Sequence, residues 1–263
     1  MEKELPIYTT QGVEFIVDVD KNELREKANP ENSYPLYFMN DLGDAGYAFD
    51  HFDKATGKTL EILLPPFVAL DPDGMARKYE KTLEELKSST DFDVMVDQDL
   101  LKKRLDHGHL PTIDLAGQTF YADARIDLLR PKDDFSTMGI RFADLDDYYV
   151  LESNSYIFPY DPKTHELVNP DWENMTEYPK KLLLIEIPDV KVLDPVGWNR
   201  RNGYPETDDL KGIGLKLEFK AEIIPWNKSG IDELIAENRS KQPTKNTIKE
   251  NNNLPEKKRG RKM

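Results

Sequence analysis

The sequence predicts an α+β fold: two tandem copies of one β-rich domain, followed by a disordered basic tail. Three observations predict it: a phrase written twice, a wider collinear echo around that phrase, and an abrupt change of composition near residue 239. "LDPDGMARK" at 70–78 returns as "LDPVGWNRR" at 193–201, with six of the nine places identical or a Lys/Arg exchange. Leu5, Pro6, Gly12, Phe15, Asp18 and Leu24 recur 105 places later as Leu110, Pro111, Gly117, Phe120, Asp123 and Leu129. Asp41-Leu42 then meets Asp144-Leu145 at an offset of 103, and "FDKATGK" from Phe52 meets "YDPKTHE" from Tyr160 at 108. "TLEELK" (82–87) is echoed by "TDDLK" (207–211). The order is kept throughout, and the main gap is a 15-residue insertion near "VNPDWENMTEYPKK". Self-similarity of this kind predicts copies at 1–106 and 107–238, the second with its insertion near 167–181, and a tail at 239–263.

Each copy reads coarsely as β-β-β-β-α-β-α, with strands clustered before helices, which is the α+β pattern. Val13, Phe15, Val17 and Val19 alternate with polar residues, as a half-buried strand requires; Phe120, Ala122, Ala124 and Ile126 match them. Tyr34–Met39 and Gly46–Phe52 read as further strands, the latter turning through "DKATGK" into "TLEILL" as a hairpin. "SYIFPY" and "KLLLIEI" repeat this in the second copy. Asp71 and Asp194 suit helix N-caps, with Pro72 and Pro195 at the first helical position, where no donor is lost. Met75, Tyr79, Leu83 and Leu86 then space out one amphipathic helix, which "NGYP" interrupts in the second copy. A strand follows in each copy ("FDVMV", "LKLEF"), then a closing helix ("DQDLLKKRL", "SGIDELIAENR"), for which Ser229 and Asp232 resemble a capping box.

Charge separates the body from the tail. Residues 239–263 hold nine Lys/Arg against Glu250 and Glu256, a net +7, so residues 1–238 carry −21 of the chain's −14. Such a body repels phosphate backbones unless a basic groove is built locally. The acidic surface suits solubility, a basic partner, or mimicry of DNA charge. The absence of cysteine excludes disulfides, thiol nucleophiles and Cys-ligated zinc. "MEKELPIYTT" has no signal-peptide h-region, and "LEILLPPFVAL" and "KLLLIEI" are too short to span a bilayer. A soluble cytoplasmic protein with no membrane contact is expected.

No GxGxxG, GxxxxGK[ST] or GxSxG motif occurs. "DPDG" (71–74) opens like a calcium loop, but Thr82 stands where the twelfth-position Glu belongs. "DHGH" (106–109) reads as a surface turn in the linker, so no catalytic residue, metal site or cofactor is assigned. "DLDDYY" (144–149) is either an acidic aromatic surface or a turn with half-buried tyrosines. Trp198, Arg200, Arg201 and Tyr204 are the partner-binding candidates, being residue types favoured at contact hot spots; the rival reading gives Trp198 the core place of Met75. The basic pairs Arg77/Lys78 and Arg200/Arg201 suit either an anion or a salt-bridged helix surface. In the tail, Lys257, Lys258, Arg259, Arg261 and Lys262 are the nucleic-acid candidates. Arg259-Gly260-Arg261 resembles an AT-hook core, without its flanking prolines.

"LDPVGWNRRNG", "LRPKDDF" and "KKRGRKM" are similar to uncharacterised proteins of Bacteroidota mobile elements. The resemblance implies a cytoplasmic accessory protein of DNA transfer, maintenance or defence, and brings no named activity. The leading expectation is a non-catalytic interaction protein, with an unidentified protein partner for its acidic body and a tail that tethers it to DNA. The alternatives are an acidic DNA-charge mimic inhibiting a nucleic-acid-binding enzyme, and a carboxylate- or metal-dependent enzyme.

Overall fold

The structure, a computed structural model, describes residues 4–54 and 56–241. It is α+β. The N-terminal half opens with strands β1 (Ile7–Thr10), β2 (Val13–Asp18), β3 (Glu23–Glu26), β4 (Ser33–Pro35), β5 (Asn40–Asp41), β6 (Tyr47–Asp53) and β7 (Lys58–Leu64). Five short helices follow: α1 (Phe67–Leu70), α2 (Pro72–Lys78), α3 (Leu83–Leu86), α4 (Asp91–Met95) and α5 (Gln98–Leu105). The C-terminal half runs through β8 (Thr112–Leu115), β9 (Gln118–Asp123), β10 (Leu128–Pro131), β11 (Ile140–Arg141), β12 (Tyr149–Val150), β13 (Ser155–Asp161), β14 (Glu166–Leu167) and β15 (Leu183–Pro188). Then come α6 (Val190–Leu193), α7 (Pro195–Asn202), α8 (Leu210–Ile213), β16 (Glu218–Lys220), β17 (Glu222–Ile224) and α9 (Asp232–Lys241).

Each half holds two sheets. The orders are β1-β2-β3-β4 and β5-β6-β7 in the first half, and β11-β10-β9-β8-β16 and β12-β13-β15-β17 in the second, with β14 beside β13. All pairs are antiparallel except β16 with β8. The meanders β1–β3 and β8–β10 have the same bounds 105 residues apart, and α1 and α6 have the same bounds at 123. The turns agree as well. Gln11-Gly12 and Ala116-Gly117 both take positive φ (51° and 83°; 54° and 99°), the conformation that fits a two-residue hairpin to strand twist. Asn22 and Asp127, again 105 apart, are both left-handed.

The doubled phrase forms the same junction in both halves. Asp71 (φ −141°, ψ 74°) caps α2 and Asp194 (φ −140°, ψ 74°) caps α7, each carboxylate accepting the N–H of the glycine three residues on. Pro72 and Pro195 fill the first helical position, where an N–H has no intrahelical partner. The glycine is imposed by the cap itself. A Cβ on Gly74 would lie 2.0 Å from Asp71 Oδ2, and one on Gly197 would lie 1.9 Å from Asp194 Oδ2.

Several elements depart from the sequence expectations. "FDVMV" is helix α4 and not a strand: Thr90 and Asp93 close a capping box, and Val94 and Met95 turn inward. The helix expected through Met75, Tyr79, Leu83 and Leu86 breaks after Lys78, because Glu80 is left-handed (φ 53°) and Thr82 starts α3 with its own capping box. The strand expected at Tyr34–Met39 ends at Pro35 and becomes a 3-10 turn, Leu36–Phe38. Ile126 leaves the strand face, since β9 stops at Asp123 and a 3-10 turn exposes its side chain. Ser229 donates to Trp226 O instead of capping α9, and Asp232 accepts from Tyr178. Arg239, Ser240 and Lys241, assigned to the tail by composition, form the last turn of α9. No helix among the described residues is long and apolar enough to cross a membrane.

The core is built in three parts. One cluster fills each half, around Phe15, Leu24, Phe49 and Phe67, and around Phe120, Leu129, Phe158 and Ile185. A third joins them: Val96 and Leu101 from the first half pack with Val196, Leu210 and Leu215 from the second. Beside it, Arg104 of α5 forks onto Asp194 with three contacts of 3.0–3.1 Å, both side chains almost wholly buried.

Candidate functional site

At the junction of the halves lies an open cleft of about 570 Å³, lined by Tyr37, Phe38, Tyr149, Leu151, Val192 and Ile213. Its aromatic wall follows from the turn after β4. Buried Leu36 pulls the chain inward, and Tyr37 and Phe38 are left facing solvent, 55% and 74% exposed, with rings 4.2 Å apart. Gly212 of α8 sits directly against this turn: a Cβ there would lie 2.9 Å from Tyr37 Cα. The opposite wall comes from the segment after the 3-10 helix 142–148. Leu151 is 77% exposed, and Tyr149 donates to Oδ1 of left-handed Asn154 at 2.6 Å.

The cleft also carries charge. Asp189, Lys191 and Asp209 line it, and Lys191 pairs with Asp209 at 2.5 Å. Burial and the nearby Asp189 raise the Tyr149 phenol above its ordinary value, so this ring stays neutral at physiological pH. The acids of "DLDDYY" precede Tyr149 directly; Asp144, Asp146 and Asp147 are exposed, while Leu145 is fully buried.

Lys191 connects the cleft to the candidates read from the sequence. Its Nζ lies 4.6 Å from the Trp198 ring centroid, and Trp198 stacks on Tyr204 at 5.6 Å and 4° between planes. Trp198 is half-buried, whereas Met75 at the matching place is fully buried, so the tryptophan does not take the core position. The other two candidates are already paired. Arg200 bonds Glu206 and Arg201 bonds Asp127, each at 2.6 Å. The first half uses its basic pair similarly: Arg77 meets Asp20, and Lys78 meets Asn22 and Val19 O. These arginines hold the fold and leave no anion-binding fork. Of the four candidates, Trp198 and Tyr204 are the two engaged in ring stacking and not in an ion pair. Lys257, Lys258, Arg259, Arg261 and Lys262 lie outside the described residues.

Tyr37, Phe38 and Leu151 were not singled out in the sequence. The signal lay in Pro35, which closes β4 and lets the next three residues turn. Segment 167–181, expected as an insertion, packs on α9, with Asn238 donating to Trp172 O and Met175 O and Arg239 to Thr176 O. Among the described residues no group of three or more His, Asp or Glu is placed to hold a metal ion.

The fold and cleft define an α+β protein with an aromatic junction surface, and particular relatives do not narrow that class further. No protein-family model, curated protein or solved structure matches the chain.

Proposed function

We propose that the chain is a tandem duplication whose second copy has diverged into a binding module, and that the protein is a non-catalytic interaction protein. The shared offset of β1–β3 and β8–β10, the matched left-handed residues and the near-identical Asp71 and Asp194 dihedrals support the duplication. The observation that carries the functional reading is the exposure of Tyr37, Phe38, Tyr149 and Leu151 around one cleft. Burying such rings drives association, and monomers rarely leave them clustered without use.

The occupant is a protein segment with apolar and basic side chains. Asp189 lines the cleft, Asp209 is paired there with Lys191, and exposed Asp144, Asp146 and Asp147 precede the wall residue Tyr149 in the chain; together they favour that charge. The cytoplasmic setting and a tail that tethers the protein to DNA through Arg259 and Arg261 belong to the same reading. Charge mimicry is the weaker alternative, because Asp71, Asp91 and Asp194 are buried as caps or bond acceptors and do not form a phosphate-like array.

Two experiments test this. A photo-crosslinking residue at Phe38 or at Leu151 should capture the same basic partner, with purified partner binding lost in Phe38→Ala and kept in Phe135→Ala. Equal binding by both variants overturns the cleft reading. A·T-rich duplex DNA, followed by fluorescence anisotropy across a salt series, should bind the full chain and lose most affinity in the Arg259→Ala/Arg261→Ala variant. Unchanged affinity, or none in either protein, overturns the tether.

A further inference from the structure

A second cavity, of about 660 Å³, opens on the outer face of the β16-β8-β9-β10 sheet. Ile113, Phe120 and Leu129 point into the core, so strand alternation turns Thr112, Tyr121 and Arg130 outward in one cross-strand row. Lys132 stands two places beyond Arg130 on that side. The walls come from two other segments. Helix α5 buries Leu101 and Arg104 and so presents Leu100 and Lys103 to the cavity. Its end is held by the His109 N–H on Lys103 O (3.0 Å), which brings His109 and Leu110 to the rim. The segment entering β16 adds Lys216 and Leu217.

The chemistry of this lining opposes that of the protein around it. The body carries a net negative charge, yet Lys103, Lys132 and Lys216 converge here against one carboxylate, Glu218. Among the described residues none of the three lysines has a hydrogen-bonded or ion-paired acid. Tyr121 lies at the centre, its ring 5.1 Å from the Arg130 guanidinium carbon and 5.9 Å from Lys132 Nζ. Leu100, Leu110 and Leu217 supply apolar surface beside it. Unpaired ammonium groups suit phosphate oxygens, and a tyrosine ring with apolar neighbours suits a flat base. The volume lies within the range of about 300–1,000 Å³ typical of small-molecule sites.

We propose that this cavity is a binding site for a free nucleoside phosphate, with Lys103, Lys132 and Lys216 on the phosphates and Tyr121 against the base. It is separate from the cleft reading and does not depend on it. The basic groove that an acidic body needs in order to approach phosphate is built here, from residues of both halves.

Calorimetric titration of the full chain with ATP, inorganic triphosphate and a ten-residue oligothymidylate tests the proposal. ATP should bind, and bind more tightly than triphosphate. Tyr121→Ala should weaken ATP about tenfold, the size expected of a lost stacking contact, while leaving triphosphate unchanged. Lys103→Glu/Lys132→Glu/Lys216→Glu should abolish binding. The control Lys81→Glu/Lys163→Glu/Lys228→Glu changes net charge equally, away from the cavity, and should bind as the native chain does. Equal loss in the two triple variants would assign the effect to overall charge and overturn the proposal. So would no ATP binding, or binding of the oligothymidylate without ATP.

Discussion

Asp194 accepts five hydrogen bonds from three groups: one each from the Gly197 and Ala124 N–H, and three from the fork of Arg104. Asp71, at the matching place, accepts from Gly74 alone among the described residues. This difference sets two expectations. Alanine at Gly74 or Gly197 drives a Cβ into the capping carboxylate, and overpacking of this kind costs about 1–3 kcal/mol. The cost should be larger for Gly197→Ala, because Asp194 cannot swing aside without releasing Arg104, whereas Asp71 can move. Urea denaturation of the two variants measures the order. Arg104→Met leaves a buried carboxylate without its cation, and removing one partner of a buried pair costs about 3–5 kcal/mol. Adding Asp194→Asn to Arg104→Met should recover part of that loss, since the amide oxygen still caps α7 and no charge remains buried. The cap was legible in the sequence because Asp-Pro-x-Gly is a local signal. The arginine was not, because 90 residues separate it from its partner.

The start of the first helix shows how an element is held when its local signal is missing. In the second half Asp189 caps α6, accepting the Lys191 N–H. The first half has Pro66 at that place, which offers no side-chain acceptor. Asp91, from α4, fills the gap: it accepts the Phe67 N–H at 2.7 Å, the Val68 N–H at 2.8 Å and the Tyr47 hydroxyl at 2.7 Å. Burial and this carboxylate push the Tyr47 phenol far above its ordinary value, so it stays a donor at all working pH. Asp91→Ala orphans three donors, and at about 1–3 kcal/mol for each unsatisfied group the loss should be at least about 3 kcal/mol. Restoring an acceptor at the cap with Pro66→Asp should return part of it, read as a rise in melting temperature over Asp91→Ala alone. The same aspartate explains the misread element. Phe92 to Val96 alternates like a strand, and nothing within those five residues shows that Asp91 is anchored to a helix start 24 residues upstream. A surface loop offers a pH test. Asp134 accepts the side chain and N–H of Ser136 and pairs with His165, which lowers its carboxyl to about 2. A depressed folded-state value stabilises this loop above the ordinary carboxylate range and loses that effect as pH falls through about 2. Ser136→Ala, which removes the largest single cause, and His165→Ala should each raise the Asp134 value, as read by carboxyl carbon NMR.

At the scale of the molecule, the question is whether the halves are independent beads or one folding unit. The recurrent phrase suggests beads, and the Asp-Pro-x-Gly helix start shared by the two halves was legible in it. The contacts between the halves were not, because they replace positions that a repeat alone would leave alike. Asp73 is exposed on α2, while its counterpart Val196 is fully buried against Val96 and Leu101. Lys211 of α8 reaches back to Asp41 and lies 4.7 Å from the Tyr47 ring. Gly212 touches the turn that carries Tyr37. These contacts also set the width of the aromatic cleft, so binding there depends on the junction staying closed. Single-unit behaviour follows: peptides from 13–26 and from 118–131 should exchange amide hydrogens together near the unfolding midpoint. Arg104→Met should accelerate both by a similar factor, because opening the junction exposes the apolar cluster on either side. If the halves fold separately, the variant leaves 13–26 protected while 118–131 exchanges, and the cleft is then a hinge between two domains and not a fixed surface.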